Sequence, residues 1–220
     1  MGKMPMPLFN KLVCIGMSEY TLTQFGIAFP VDINGALTIL REVAGAPVVL
    51  LVDEHHTTPD CISQNEHNTN KLISPSRDHL VGVESHAALD DPATAQPVNE
   101  HPEFAIAMVK HGFTVIGVEN TDLCDEVLSD IAYEGWPAGN IKGHPNNQKR
   151  SRYFIELLSR EFQNRNLTGW MVLNAGRSHI DDIVAVIKDG TIDALAGAPF
   201  SYIRLRAVAY PDETLEIEVP

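Results

Sequence analysis

Four short apolar runs, each ending abruptly in charged or polar residues, constrain the fold of this chain most strongly. The runs lie at 48–52, 80–83, 114–118 and 170–173. They are rich in Val, Ile and Leu and do not alternate with polar residues, which is typical of strands buried on both faces. Segments with helical spacing lie between them. This order predicts an α/β fold with a mostly parallel sheet flanked by helices.

The helical segments and the two ends of the chain complete this prediction. Helices are expected at 58–73, 103–110, 121–131, 148–162 and 178–188. Thr58-Pro59 predicts the first start, because hydroxyl caps and an early proline favour helix initiation, and Ser178 with Asp181 predicts the last. The alternating stretch "SYIRLRAVAY", followed by "TLEIEVP", predicts a C-terminal antiparallel pair at the sheet edge. The length predicts one domain, 1–220, with residues 1–45 as an N-terminal element of open role, in which "NGALTILREVAG" looks helical and "LVCIG" strand-like.

Composition narrows the classes of protein that fit. Hydrophobic residues make up 44% and charged residues 20% of the chain, as in globular proteins with a real core. The net charge of −13 argues against a nucleic-acid partner, because phosphate binding needs clustered Lys and Arg. No apolar run approaches the roughly 18 residues of a membrane span. Three widely spaced cysteines without CxxC, and an N-terminus without the apolar region of a signal peptide, indicate a cytoplasmic protein with reduced thiols.

Groups that bind protons or metals follow all four apolar runs. In order along the chain they are Asp53, Glu54, His55 and His56; Glu84 and His86; Glu119; Asn174, Arg177 and His179. Ligands of an open parallel sheet bind beyond the carboxyl ends of its strands, so these groups are expected at one rim. Carboxylates and imidazoles there suit metal binding or general acid–base chemistry. Strand ends also return to solvent, which is the ordinary structural explanation for polar residues.

Two helices add candidates. The helix after the first run carries Gln64 and several Asn, which suggests either a polar face turned toward a site or a solvated surface helix. In the helix at 148–162, the apolar stripe centres near Arg150, so Arg150 is expected to point inward toward a buried anion, either a glutamate or a substrate oxyanion. His179 opens its helix, where the dipole disfavours an imidazolium ion.

These motifs resemble one superfamily, which contains the erythromycin esterases, the ChaN-like haem-uptake proteins and the TraB/TIKI metal-dependent proteases. The stretches that carry the resemblance are "VDEHHTTPDCISQN", "TVIGVEN", "QKRSRYFIELL" and "VLNAGRSHIDDI". The resemblance implies an α/β fold with a site at the strand ends. Residues that match the family motifs are Glu54, His55, Glu119, Arg150 and His179. Asp53 stands where the family has glycine, and Glu84 is a second candidate for the middle glutamate.

The favoured hypothesis is a hydrolase of an ester or amide bond in a small-molecule or peptide substrate. Glu54 or Glu119 would act as general base, and Arg150 would neutralise charge in the transition state. His55 and His179 would share the proton transfers or, with Glu54, hold a metal. Carboxylate and imidazole without thiolate would favour Mn or Zn, and a metal-free site stays open. Gln64, Glu84 and Asn174 are expected to contact substrate.

Two alternatives come from other classes of protein. The first is a protein that binds haem or another ligand without turnover, with His55, His56 or His86 as axial ligands. The second is a non-catalytic relative that serves as an assembly module. A homo-oligomer is compatible with all three hypotheses, whereas nucleic acid and membrane are not expected partners.

Overall fold

The computed structural model describes residues 13–14, 23–27, 33–55, 58–85, 103–133, 135 and 144–208. These residues form an α/β fold in which helices cover both faces of a seven-stranded mixed sheet. The strands are β1 (Val13–Cys14), β2 (Gly35–Arg41), β3 (Val48–Glu54), β4 (Leu80–Val83), β5 (Thr114–Gly117), β6 (Met171–Gly176) and β7 (Ser201–Ala207). The helices are α1 (Pro59–Leu72), α2 (Glu103–Lys110), α3 (Thr121–Tyr133), α4 (Pro145–Asn164), α5 (Arg177–Lys188) and α6 (Ile192–Ala196).

The sheet is mostly parallel, as the apolar runs predict. Its strand order is β1-β2-β7-β3-β6-β4-β5. Strands β7, β3, β6, β4 and β5 all run in one direction, and β2 pairs with β7 in the antiparallel sense. The carboxyl ends of five strands therefore meet at one rim, which we call the carboxyl rim.

Two details at the chain ends differ from the sequence-based prediction. β7 pairs in the antiparallel sense with β2, and its other edge pairs with β3; "TLEIEVP" lies outside the described residues. "NGALTILREVAG" holds strand β2 rather than a helix. Its ladder with β7 decides this, because tertiary pairing overrides a weak local pattern. Within "LVCIG", Val13–Cys14 pairs with β2 as a short parallel strand.

Side-chain alternation along β3 separates the two faces of the sheet. Val48, Leu50 and Val52 pack in the core beneath α1 and α2, whereas Val49 and Leu51 pack beneath α4, α5 and α6. Successive strand residues point to opposite faces, so Glu54 continues the first series and Asp53 the second. This difference of one residue decides which predicted site residues meet.

The predicted helices are present with small differences at their starts. α1 begins at Pro59, and the Thr58 hydroxyl contacts His55 Nδ1 at 2.8 Å instead of capping the helix. α4 begins three residues before the predicted start, at Pro145, after His144. α5 begins at Arg177 with Gly176 at the cap position, so Ser178 lies inside the first turn. Within the described residues, no helix combines the length and the apolar character needed to cross a membrane.

Candidate functional site

Arg150 lies in the second turn of α4 and is 7% exposed. Its Nε and Nη2 atoms donate to the two carboxylate oxygens of Glu119, at 2.9 and 2.5 Å. Nη2 also contacts Glu84 Oε1 at 3.3 Å, and Nη1 donates to Asn147 Oδ1 at 3.1 Å. Burial alone would lower the pKa of Arg150, but the hydrogen bonds and charge of Glu119 and the charge of Glu84 raise it. The prediction that Arg150 points inward, toward glutamate, is confirmed.

Glu84 and Glu119 stand at the ends of neighbouring parallel strands. Glu84 follows β4, and its Oε2 atom accepts the Gly176 N–H at 2.9 Å, at the start of α5. The Glu119 side chain is 3% exposed and that of Glu84 is 17% exposed. Two carboxylates this close would repel each other without the guanidinium between them. The two candidates for the middle glutamate of the family motif therefore lie side by side, joined by Arg150.

His179 joins this group from the first turn of α5. Its Nε2 atom lies 3.4 Å from Glu84 Oε1, and its Nδ1 atom lies 2.8 Å from Ser151 Oγ. The ring packs against Phe154 with centroids 4.8 Å apart. The residue is 3% exposed. Glu84, Glu119, Arg150 and His179 form one set of contacts, which we call the Glu84 network.

The Glu84 network lies at the point of the sheet where ligands of open α/β folds bind. β6 and β4 are neighbours, but the chain leaves β6 toward β7 and leaves β4 toward β5. Connections that diverge from adjacent strands open a crevice at the carboxyl rim. Glu84 follows β4 and His179 follows β6, the two strands at which the connections diverge.

Glu54, His55 and Asn174 lie elsewhere. Glu54 is 5% exposed and faces α1 and α2, on the opposite side of the sheet from the Glu84 network. Asn174 pairs in register with Val52 and shares that face. Its carbonyl oxygen accepts the Glu84 N–H, and its Nδ2 atom has no hydrogen-bond partner among the described residues. His55 is half-buried beside Thr58.

The predicted metal ligands Glu54, His55 and His179 are therefore not assembled into one site. No group of three or more His, Cys, Asp or Glu side chains that could hold a metal occurs in the described part of the chain. Both ring nitrogens of His179 already face protein groups, Glu84 and Ser151. The donor set does not fit the expected Mn or Zn ion. Of the haem-ligand candidates, His56 and His86 lie outside the described residues.

The Asn65 and Asn68 side chains of α1 form hydrogen bonds with backbone groups and do not line the Glu84 network. Asn65 Nδ2 donates to the Asp53 carbonyl oxygen at 2.9 Å. Asn68 pairs with both backbone groups of Asn34, accepting its N–H at 2.7 Å and donating to its carbonyl at 3.0 Å. Gln64 is half-buried on the same helix, which covers the face opposite Arg150. The polar character of α1 is thus largely structural at Asn65 and Asn68.

A second buried charge group, which the sequence did not reveal, lies on the same face as the Glu84 network. Asp53 is fully buried and accepts two hydrogen bonds from Arg204, at 2.8 and 2.6 Å, and one from Arg206 at 3.3 Å. Arg204 also donates to Asp181 of α5 at 2.8 Å. Burial raises the pKa of Asp53, and both guanidinium groups oppose that rise. We call these four residues the Asp53 network.

Sequence analysis also missed Asn147, Ser151 and Asp182. Asn147 and Ser151 flank Arg150 on the buried face of α4 and are themselves fully buried. The Ser151 hydroxyl contacts Asp182 Oδ2 at 2.8 Å. The helical spacing that predicts an inward Arg150 also predicts that Asn147 and Ser151 face inward, when it is applied to small polar side chains.

Comparison with known proteins adds no relative. No protein-family model matches the chain, and searches of curated proteins and of solved structures give no match either.

Proposed function

We propose that this protein is a hydrolase of an ester or amide bond, with its site at the Glu84 network. The observation that carries the proposal is the Glu84–His179 pair at the carboxyl ends of β4 and β6. A carboxylate beside an imidazole is a common pair for moving protons in hydrolysis. The resemblance to the erythromycin esterase superfamily supports the same class of reaction through Glu119, Arg150 and His179.

The four side chains have different roles in this proposal. Glu84 is the most exposed of the three carboxylate and guanidinium groups, so it faces the attacking water and takes its proton. His179 takes this proton from Glu84 at Nε2 and passes it to the leaving group. Arg150 and Glu119 contact each other through two hydrogen bonds and fix the orientation of Glu84. Arg150 thus holds carboxylates in place, whereas the sequence suggested transition-state neutralisation.

The substrate class and location remain those expected from the sequence. The substrate is a small molecule or peptide with an ester or amide bond. A cytoplasmic location agrees with the free thiols of Cys61 and Cys124. No step of the proposal passes through a metal ion.

The chain contains a matched control for the site pair. Glu66 and His111 form a second Glu–His contact, at 3.1 Å, but their side chains are 38% and 41% exposed. We would assay wild type, Glu84→Gln, His179→Asn, Glu66→Gln and His111→Asn on chromogenic esters and fluorogenic peptide amides. Parallel assays with EDTA and with added Mn²⁺ or Zn²⁺ would report any metal requirement.

We expect the first two variants to lose about 10²- to 10⁴-fold in kcat/KM, the usual size of a lost proton-transfer group. The Glu66 and His111 variants should match wild type. Circular dichroism would establish that each variant is folded. Undiminished hydrolysis by folded Glu84→Gln and His179→Asn would overturn the proposal, as would a wild-type protein that cleaves nothing in the panel.

A further inference from the structure

The Ser151 hydroxyl has more partners than protons. Its Oγ atom lies 2.9 Å from the Asn147 carbonyl oxygen, 2.8 Å from Asp182 Oδ2 and 2.8 Å from His179 Nδ1. A hydroxyl has one hydrogen to donate and can accept through its lone pairs. A carbonyl oxygen and a carboxylate can only accept. The hydroxyl proton therefore goes to Asp182 or to Asn147.

This count determines which nitrogen of His179 carries a proton. If Nδ1 were also an acceptor, three lone-pair groups would compete for one hydrogen, and two of these acceptors would receive no hydrogen from this hydroxyl. With a proton on Nδ1, the ring donates to Ser151 Oγ and the hydroxyl donates onward. The hydroxyl then accepts from the ring and donates to Asp182 or to Asn147, so only one of its three neighbours receives no hydrogen from this contact.

We propose that Ser151 is a positioning residue that holds neutral His179 in the Nδ1–H tautomer, so that Nε2 is the basic nitrogen facing Glu84. The contact of 3.4 Å between Nε2 and Glu84 Oε1 is the side on which the ring gains and loses its proton. Phe154 packs against the ring and keeps its plane in place. The role of Ser151 in hydrolysis rests on the function proposed above, but the tautomer does not.

A nucleophilic role for Ser151 does not agree with its surroundings. Glu84, His179 and Ser151 follow one another in the order of a carboxylate–imidazole–hydroxyl triad. Ser151 is 0% exposed, however, and its hydroxyl is enclosed by Asn147, His179 and Asp182. A substrate carbonyl cannot reach Oγ in this structure, so the hydroxyl acts through His179.

Nitrogen NMR of protein labelled with ¹⁵N-histidine measures the tautomer directly. We expect His179, at a pH where the ring is neutral, to show a protonated Nδ1 and an unprotonated Nε2. Ser151→Ala should shift the ring toward the Nε2–H form. Ser159→Ala is the matched control, because Ser159 is a buried serine of the same helix, 1% exposed, and should leave the His179 signals unchanged.

Activity gives the second readout. We expect kcat of Ser151→Ala to fall at least about tenfold, because the basic nitrogen would be misplaced, with KM near the wild-type value. An Nε2–H tautomer in wild type would overturn the inference, even if Ser151→Ala does not fold. An unchanged tautomer in folded Ser151→Ala would overturn it too. If wild type shows Nδ1–H while Glu84→Gln and His179→Asn hydrolyse normally, the tautomer assignment stands and the hydrolase proposal falls.

Discussion

The two buried charge networks under α5 differ in the balance of their charges. In the Asp53 network, Arg204 and Arg206 surround one fully buried carboxylate, and Arg204 reaches a second, Asp181. In the Glu84 network, one arginine serves two carboxylates, and a histidine stands beside one of them. The first network therefore balances two carboxylates with two guanidinium groups, whereas the second has one guanidinium group for two carboxylates and keeps excess negative charge next to an imidazole.

Under the proposed function, this difference separates a structural role of the Asp53 network from a chemical role of the Glu84 network. A carboxylate held by two guanidinium groups has little reason to change its protonation state. A carboxylate that shares its arginine and faces an imidazole is placed to exchange a proton. Location at the carboxyl rim is thus insufficient to identify a site. The ratio of carboxylates to guanidinium groups distinguishes the two networks better.

The largest expected effect is on folding stability at Asp53. Asp53→Asn should lower the free energy of unfolding by about 3–5 kcal/mol, because it leaves Arg204 buried without its main partner. Glu84→Gln should cost about 1–2 kcal/mol, since Arg150 keeps both hydrogen bonds to Glu119. Urea unfolding at neutral pH measures both values. Equal losses in the two variants would remove the distinction between the networks.

A second comparison tests the arginines. Arg150→Lys should cost about 2–3 kcal/mol, because a lysine cannot reproduce the two-point contact with Glu119 together with those to Glu84 and Asn147. Arg206→Lys should cost below about 0.5 kcal/mol, since Arg206 is partly exposed and its contact with Asp53 is long, at 3.3 Å. The same urea titration applies. A loss at Arg206 that matches the loss at Arg150 would contradict this ranking.

A third prediction concerns the loss of stability in acid, which we assign to His79 and to neither charge network. His79 directly precedes β4, at the end of the strand opposite Glu84. His79 Nδ1 accepts the Trp170 N–H at 2.7 Å, and burial lowers the pKa of His79. Because the folded-state pKa lies below the unfolded value, this contribution is present above the ordinary histidine pKa of 6.5 and is lost as the pH falls through the folded value.

Stability curves between neutral and mildly acidic pH test that prediction. His79→Asn keeps an acceptor but cannot titrate, so its stability should fall less than that of wild type on acidification. His111→Asn, at an exposed histidine, is the control. Parallel curves for wild type and His79→Asn would show that the acid sensitivity arises elsewhere.

The smallest expected effect uses Cys124 as a reporter of the Glu84 network. Burial raises the pKa of the Cys124 thiol, Glu119 and Glu84 raise it further, and Arg150 lowers it. Glu84→Gln should therefore lower that pKa and speed alkylation of Cys124 by roughly twofold to fivefold at mildly alkaline pH. Asp53→Asn should leave the rate unchanged. Mass spectrometry of iodoacetamide-treated protein distinguishes Cys124 from Cys61, whose pKa burial raises to about 11.

Local sequence patterns predicted much of the fold. Apolar runs without alternation located the central strands, and helical spacing located the helices and turned Arg150 inward. These features depend on neighbours within a few residues, which a sequence displays directly. β2 was misjudged because its pairing with β7, more than 150 residues away, outweighs its local pattern.

The candidate site was only partly predictable, because it depends on register and order in the sheet. Glu54 and Glu84 both follow apolar runs, yet alternation sends them to opposite faces. Ser151 and Arg204 gained their roles from contacts that span 28 and 151 residues. Neither spacing is visible in a linear pattern.

The position of β6 has a consequence for how the chain reaches its native state. β6 inserts between β3 and β4, although about 120 residues separate it from β3 in sequence. Before Met171–Gly176 is in place, β3 and β4 lack their common neighbour. Each strand then presents an open edge, and chains tend to associate at such edges. Such distant pairing also slows folding. During synthesis, Glu84 and Glu119 emerge well before Arg150 and His179, so nascent chains that stop short of residue 171 should aggregate readily and lack the Glu84 network.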